Sequence, residues 1–90
     1  MELEQLRIFL AVAETGSFTT GAKRLYISHS TTSRAISALE EELCARLIER
    51  ENHITGLTPA GKLLLEETRK ILDMTEGLKE KLHFAEEDER

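Results

Sequence analysis

Several residue types are scarce in this chain. It contains one cysteine, one proline, one tyrosine and no tryptophan. The single Cys44 excludes an internal disulfide and is typical of a reducing cytoplasm, which is the location we expect. No apolar run approaches the roughly 18 to 20 residues that cross a bilayer, and the acidic amino-terminal segment does not resemble a secretion signal. We therefore expect one small domain with no membrane partner.

The most informative absence is that of acidic residues between Thr15 and Leu39. The whole chain is 32% charged and has a formal net charge of -5, yet this window holds Lys23, Arg24 and Arg34 and no Asp or Glu. The negative total argues against indiscriminate nucleic-acid binding but leaves room for a local basic patch. A polyanionic partner is the simplest explanation of the window.

Apolar spacing in the first half of the chain predicts three amphipathic helices. We expect them at residues 2–14, 18–25 and 29–43. Gly16 suits a left-handed C-cap of the first helix, while Ser17 and Ser28 suit the N-caps of the next two. Gly21 inside the second helix either allows close packing or is merely tolerated. Two short helices joined by a tight turn have the geometry that places a helix in a DNA major groove.

The second half of the chain predicts a hairpin and one long helix. Short apolar segments at residues 47–48 and 54–57 flank a polar tip, as in a small two-stranded hairpin. Thr58 and Pro59 form a strong helix start. We expect that helix to run to near Phe84 and the acidic tail beyond it to fray. The domain division expected is a DNA-binding domain at residues 1–58 and a linker helix at residues 59–90.

The long helix carries an approximate heptad pattern. Its seam, weakened by two threonines, gives the expected dimer interface: Leu64, Thr68, Ile71, Thr75, Leu78 and Leu82. A second apolar set lies off this seam. One stripe is expected to pack on the domain and the other on a partner.

Hydroxyl and basic side chains on or near the second helix can hold DNA phosphates without distinguishing sequence. These backbone candidates are Ser17, Thr19, Thr20, Lys23 and Arg24. The alternative is that Lys23 and Arg24 are solvated charges and that Ser17 only caps its helix. The third helix begins with polar residues from His29 to Arg34, and an arginine suits guanine recognition in the major groove. The alternative there is a solvated helix start.

Catalysis has little support in the sequence, and we expect no enzyme activity. Glu40, Glu41 and Glu42 form a carboxylate cluster, but no nucleophile and base accompany them, and such a run is usually a solvated helix face. The three histidines and Cys44 lack metal-ligand spacing, and no glycine-rich phosphate loop is present. We therefore expect no metal and no cofactor.

The chain resembles the amino-terminal part of LysR-type transcriptional regulators. The resemblance rests on an ordered, gap-free series over about residues 1 to 72: MELEQLRIFLAVAETGSFTTGAKRLYIS, SRAISALEEEL, RLIER and LTPAGKLLLEE. It implies a mainly α winged helix–turn–helix, a linker helix that pairs in a homodimer, and a bacterial DNA-binding function. A tetramer in the full-length protein is an open alternative. The effector domain that the family carries is absent, so we expect a part of a longer regulator rather than a natural short form.

The resemblance also implies which residues contact DNA. Base contacts would come from the start of the third helix: His29, Ser30, Thr31, Ser33 and Arg34. Ser33 and Arg34 match the family pattern, whereas residues 29–32 depart from it and put the recognised bases in doubt. Asn52 and His53 would form the wing tip, where the family often has arginine, so we expect a weak wing contact. Cys44 stands where the family usually has glycine and would be mildly strained at positive φ.

Two function classes remain in competition at this point. The first is a dimeric, sequence-specific DNA-binding module of a transcription regulator. The second is a dimerisation or interaction module with weak or no specific DNA binding, which the acidic net charge and the weak wing favour slightly. A dimer without sequence preference would support the second class.

Overall fold

The computed structural model of the protein describes residues 1–51 and 54–88. Its elements in chain order are α1 (Leu3–Thr15), α2 (Phe18–Leu25), α3 (His29–Leu43), β1 (Ile48–Glu51), β2 (Ile54–Leu57) and α4 (Pro59–Asp88). Three short helices pack together, a two-stranded sheet follows them, and a long helix leaves the domain. This is the winged helix–turn–helix architecture that the sequence predicts.

Local capping explains why the first helices begin and end where they do. Gly16 ends α1 with a left-handed φ of 69°. The hydroxyl of Ser17 accepts a hydrogen bond of 3.1 Å from the backbone N–H of Thr20, and the hydroxyl of Ser28 accepts one of 3.0 Å from that of Thr31. All three predicted caps are confirmed. The turn between α1 and α2 is therefore bounded by capping groups on both sides, and the turn between α2 and α3 ends at the Ser28 cap.

The core lies where α1, α2, α3 and the base of the wing meet. Its buried side chains are Ile8, Phe9, Val12, Phe18, Ile36, Leu39, Leu47 and Ile48. A Cβ added at Gly21 would lie 3.0 Å from both the backbone nitrogen and Cγ2 of Val12. Of the two explanations for Gly21, the structure supports the close approach of α2 to α1.

The wing is an antiparallel hairpin in which Ile48 pairs with Leu57 and Arg50 pairs with Thr55. It is tied to α3 by Glu40, whose Oε2 accepts hydrogen bonds of 2.8 Å from the N–H of Leu47 and 3.4 Å from that of Ile48. Glu40 therefore has a structural contact and is not only part of a solvated acidic run. The sequence does not show this contact, because it forms only when residues 47 and 48 fold back against α3.

Two non-glycine residues adopt positive φ at helix ends. Cys44 terminates α3 at φ 51°, so the strain expected at that position is present. Tyr26 terminates α2 at φ 57°, with its side chain 96% exposed. Left-handed backbone is unfavourable for a large aromatic residue, and this strain was not predicted.

The long helix α4 begins as predicted. The hydroxyl of Thr58 accepts a hydrogen bond of 3.0 Å from the N–H of Gly61 and donates one to the carbonyl oxygen of Arg46. The helix continues to Asp88, so the predicted end near Phe84 is too early. No residue type stops the helix there, since the tail consists of alanine and charged residues.

Ion pairs join elements that are distant in the sequence. Glu14 on α1 lies 2.8 Å from the guanidinium of Arg24 on α2 and 3.3 Å from that of Arg69 on α4. The Met1 ammonium donates a hydrogen bond of 2.8 Å to Glu42, and this bond raises the pKa of the amino group. All these groups are partly exposed, so each pair contributes little to stability.

The molecule is elongated, with extents of 58 × 26 × 19 Å, because the second half of α4 extends beyond the core. A 30-residue helix is about 45 Å long, more than the three-helix domain can cover. Within the described part of the chain, no helix is long and apolar enough to cross a membrane.

Candidate nucleic-acid interface

The first two turns of α3 present a polar, exposed surface. His29, Ser30, Thr31 and Arg34 are exposed, and Ser33 is half-buried beside them. The spacing of His29 to Ser33, and of Ser30 to Arg34, is four residues, so these side chains share one face of the helix. We call this set the α3 face.

Side chains on the α3 face are mostly not engaged within the protein. Among the described residues, Arg34, Ser30 and Ser33 have no side-chain hydrogen bond or ion pair. The hydroxyl of Thr31 accepts a hydrogen bond of 2.9 Å from the hydroxyl of Ser28, which orients it at the helix start. An unpaired guanidinium and nearby hydroxyls can donate to and accept from the edges of bases.

Thr32 does not belong to this surface, although it lies in the unusual run of residues 29–32. Its side chain is fully buried, and its hydroxyl donates a hydrogen bond of 3.0 Å to the carbonyl oxygen of Ser28. The inference that the whole run sets specificity is therefore wrong for Thr32. Its spacing of four residues from buried Ile36 places it on the core stripe of α3.

The residues proposed for backbone contacts differ in availability. Thr19, Thr20 and Lys23 on α2 are exposed, and among described residues the Lys23 ammonium has no ion-pair partner. Ser17 is used as the N-cap of α2. Arg24 is held by Glu14, and a phosphate would have to compete with that carboxylate.

The wing-tip residues Asn52 and His53 lie outside the described residues. The described part of the wing shows a basic residue that the sequence analysis did not single out. The guanidinium carbon of Arg50 on β1 lies 4.5 Å from the centre of the Phe18 ring. In the sequence Arg50 stands between two glutamates, so the segment does not look basic. In a strand, however, neighbouring side chains point to opposite faces, and Arg50 lies on the other face from Glu49.

The surface of α4 divides into a core-facing and an exposed part. Thr68 is 0% exposed and Leu64 packs against the core, so these two expected interface residues face the protein's own interior. The hydroxyl of Thr68 has no hydrogen-bond partner among the described residues. Further along, Ile71, Met74, Leu78 and Leu82 are exposed apolar residues on one side of the helix. We call these four the α4 stripe, and half-buried Thr75 lies beside it.

Among the described residues, no three or more His, Cys, Asp or Glu side chains are grouped so that they could hold a metal ion. The arrangement of α2, α3 and the wing is instead that of a winged helix–turn–helix protein in which α3 presents a polar, exposed face.

The comparisons with known proteins define the family. Residues 3–62 match the sequence model of the bacterial regulatory helix-turn-helix proteins of the lysR family. The chain belongs to this family. It is 43% identical over 76 residues to the transcriptional regulator TfdT of Cupriavidus pinatubonensis, an alignment that covers 84% of this chain and 33% of TfdT. It is 46% identical over 76 residues to the transcriptional regulator ClcR of Pseudomonas putida, covering 84% of this chain and 26% of ClcR.

Solved structures give the same result. The chain superposes on the CbnR DNA-binding domain, solved in complex with DNA, with a TM-score of 0.91 and 39% identity, covering 94% of this chain and 98% of that one. It superposes on the BenM DNA-binding domain, solved with benA site 1 DNA, with a TM-score of 0.91 and 36% identity, covering 94% and 99%. The chain spans about a quarter to a third of the curated relatives TfdT and ClcR.

Proposed function

We propose that this chain is the sequence-specific DNA-binding domain of a bacterial transcription regulator and that α3 enters the major groove. The observation that carries the proposal is the α3 face, a set of exposed and largely unpaired polar side chains at the start of the second helix of a helix–turn–helix. Support comes from the CbnR and BenM domains, which have this fold and were solved on DNA. A cytoplasmic location is part of the proposal, because bacterial DNA lies there.

Within this proposal the α3 face and α2 have different roles. Arg34 donates to a guanine edge, which is the commonest specific contact of arginine in the major groove. Ser30, Thr31, Ser33 and His29 supply shorter donors and acceptors around it. Thr19, Thr20 and Lys23 hold phosphates and orient the domain, with no sequence preference of their own. These roles follow from exposure and position on the helices.

Arg24 and Ser17 have smaller roles in the proposal than the sequence alone suggested. The carboxylate of Glu14 already occupies one guanidinium nitrogen of Arg24, at 2.8 Å. The Ser17 hydroxyl caps α2, so its contribution to phosphate binding is limited to the geometry of the helix start. Lys23 is therefore the main phosphate-binding cation of α2.

We also propose that the chain forms a homodimer through the α4 stripe. The four residues of the stripe are apolar and exposed, on a part of α4 that no other element covers in the described structure. Burying such a stripe against a second copy removes apolar surface from water. In such a dimer two α3 helices meet one face of the duplex, so half-sites would lie about one helical turn, or a multiple, apart.

Selection of bound fragments from random duplex DNA tests the DNA-binding proposal. We expect recovery of a preferred sequence whose half-sites are related by two-fold symmetry. Binding should weaken steeply as salt is raised, because phosphate contacts release condensed counterions. Recovery of no preferred sequence by a chain that sediments as a dimer would instead support the interaction module.

Leu78→Glu is expected to disrupt the dimer. Leu78 is 54% exposed in the single chain and lies in the middle of the α4 stripe. A carboxylate buried at that position in each copy would lose hydration without gaining a partner, so we expect at least about tenfold weaker dimerisation, or about 1.4 kcal/mol. Sedimentation equilibrium over a range of concentrations measures the change.

Phe84→Glu is the matched control. Phe84 is 63% exposed on α4 but outside the stripe, so the same apolar-to-acidic change should leave dimerisation nearly unaltered. Equal weakening by both variants would indicate a general effect of charge on an already acidic chain. Unchanged dimerisation of Leu78→Glu would place the interface elsewhere.

A further inference from the structure

A cluster of three side chains joins the wing to both helices of the helix–turn–helix. The guanidinium carbon of Arg50 on β1 lies 4.5 Å from the centre of the Phe18 ring. The same ring lies 5.9 Å, centre to centre, from the imidazole of His29, at an interplanar angle of 42°. We call Arg50, Phe18 and His29 the Phe18 cluster. From it we infer that Arg50 is a DNA-backbone contact, held in position by the Phe18 ring.

The ring is a rigid support for the guanidinium. Phe18 is buried and belongs to the hydrophobic core, so its orientation is fixed by the side chains around it. A cation over the face of an aromatic ring is attracted by the negative potential of that face. Stacking uses the flat face of the guanidinium and leaves the N–H groups at its edge available for acceptors.

No carboxylate competes for Arg50 in the described structure. Arg50 is exposed, and its guanidinium has no ion-pair partner among the described residues. Glu49 precedes it on β1, but successive residues of a strand point to opposite faces, which directs the Glu49 side chain away from the ring. Arg24, by comparison, is held by Glu14 at 2.8 Å. Among the described residues, Arg50 is therefore a cation without a counter-ion.

The position of the cluster indicates the chemistry of the partner. Phe18 is the first residue of α2 and His29 the first residue of α3, so both helix N-termini begin at the cluster. Helix N-termini favour anionic groups, and arginine edges match the oxygens of a phosphodiester. The inferred partner is a backbone phosphate beside the groove that α3 enters, which means that this inference rests on the proposed function.

A contact between Arg50 and a phosphate would give the wing a role in DNA binding that does not depend on its tip. The sequence predicts a weak wing because its tip has Asn52 and His53 in place of arginine. Arg50 lies on β1 instead, paired in register with Thr55, and its guanidinium carbon lies over the Phe18 ring. The wing would then bind through a guanidinium held by the Phe18 ring rather than through its tip.

The test compares Arg50→Gln with Arg50→Lys on a mixed-sequence duplex of about three helical turns. The affinity is measured by fluorescence anisotropy over a series of salt concentrations. Loss of one phosphate contact lowers the slope of log K against log salt by about 0.9 and the affinity by roughly three- to tenfold. We expect both changes for Arg50→Gln. Arg50→Lys should keep the slope but bind a few-fold more weakly, because an ammonium lacks the planar face that stacks on Phe18.

Lys79→Gln is the control for net charge. Lys79 lies on the exposed second half of α4, paired with Glu76 at 3.3 Å, and its substitution removes the same single charge away from the cluster. We expect it to leave the slope and affinity unchanged. A wild-type slope in Arg50→Gln, or an equal reduction in Lys79→Gln, would overturn the inference.

Failure of the inference can be distinguished from failure of the proposed function. If neither the wild-type protein nor any variant binds the duplex, the proposed function is wrong. If it binds and Arg50→Gln behaves like wild type, only the role of Arg50 fails. Thermal unfolding followed by circular dichroism confirms that each variant is folded. Should Arg50→Gln unfold, wild-type affinity of Arg50→Lys would still contradict the stacking requirement.

Discussion

Gly61→Ala is expected to remove a large part of the stability of the domain. A Cβ built at Gly61 would lie 2.0 Å from the carbonyl oxygen and 3.0 Å from the carbonyl carbon of Leu47. Both atoms are backbone, so no side-chain rotation can relieve the overlap. Leu47 is buried, and its carbonyl also accepts a hydrogen bond of 3.1 Å from Thr58. Either α4 or the base of the wing must move.

We expect Gly61→Ala to lower the free energy of unfolding by about 3 kcal/mol or more, at the upper end of overpacking effects. That is a large part of the 5 to 15 kcal/mol that typically stabilises a small domain. Urea unfolding at fixed protein concentration measures the change, since dimerisation makes apparent stability concentration-dependent.

Gly77→Ala is the matched control in the same helix. A Cβ added at Gly77 meets no described atom within 4 Å. Because glycine in a helix interior costs about 1 kcal/mol relative to alanine, this variant should be more stable by up to that amount. Substitution of glycine by alanine is therefore expected to lower the free energy of unfolding at position 61 and to raise it at position 77. Stabilisation by both would mean that the start of α4 does not contact Leu47 as closely as described.

Helix boundaries were the part of the fold that the sequence predicted best, because they depend on neighbouring residues. Ser17 and Ser28 bond to the N–H groups three residues later, and Gly16 takes a left-handed conformation at its own position. None of these features requires knowledge of the tertiary fold. The end of α4 had no such signal, and there the predicted boundary was too early.

Burial of the two threonines was not predicted because threonine carries both a methyl and a hydroxyl group. In the sequence Thr32 lies in a polar helix start and Thr68 in the heptad seam, yet both side chains are fully buried. Spacing could have indicated this, since Thr32 precedes Ile36 by four residues and Thr68 follows Leu64 by four. At these two positions helical spacing predicts burial better than side-chain polarity does.

Contacts between distant segments could not be predicted from the sequence. Arg50 and Phe18 meet only because the wing folds back onto the start of α2, and Glu14 pairs with Arg69 across most of the chain. The tertiary contacts therefore determine which arginines are available to bind an anion. Arg24 is partly neutralised by Glu14, while Arg50, flanked by glutamates in the sequence, has no ion-pair partner among the described residues. The acid-free window therefore identifies the surface, but not every cation on it.

Arg34→Ala is expected to reduce strongly the discrimination in favour of the selected DNA sequence. Arg34 is exposed on the α3 face and has no internal partner among the described residues. A bidentate contact with guanine contributes about 1 to 3 kcal/mol of discrimination, or about 5- to 150-fold in affinity. We expect the affinity for the selected site to fall by that factor, towards the affinity for unrelated DNA. Competition mobility-shift assays with the selected and a scrambled duplex measure the ratio.

Lys23→Ala separates base recognition from phosphate binding. Lys23 is exposed on α2 and is also without an ion-pair partner among the described residues, so both variants remove one charge of the same kind. A phosphate contact does not depend on sequence, so Lys23→Ala should weaken binding to both duplexes about equally and reduce the salt slope by about one. Neither substitution should destabilise its helix, because alanine has the highest helix propensity. If Arg34→Ala also weakened both duplexes equally, Arg34 would be a phosphate contact, and base recognition would fall to His29, Ser30, Thr31 and Ser33.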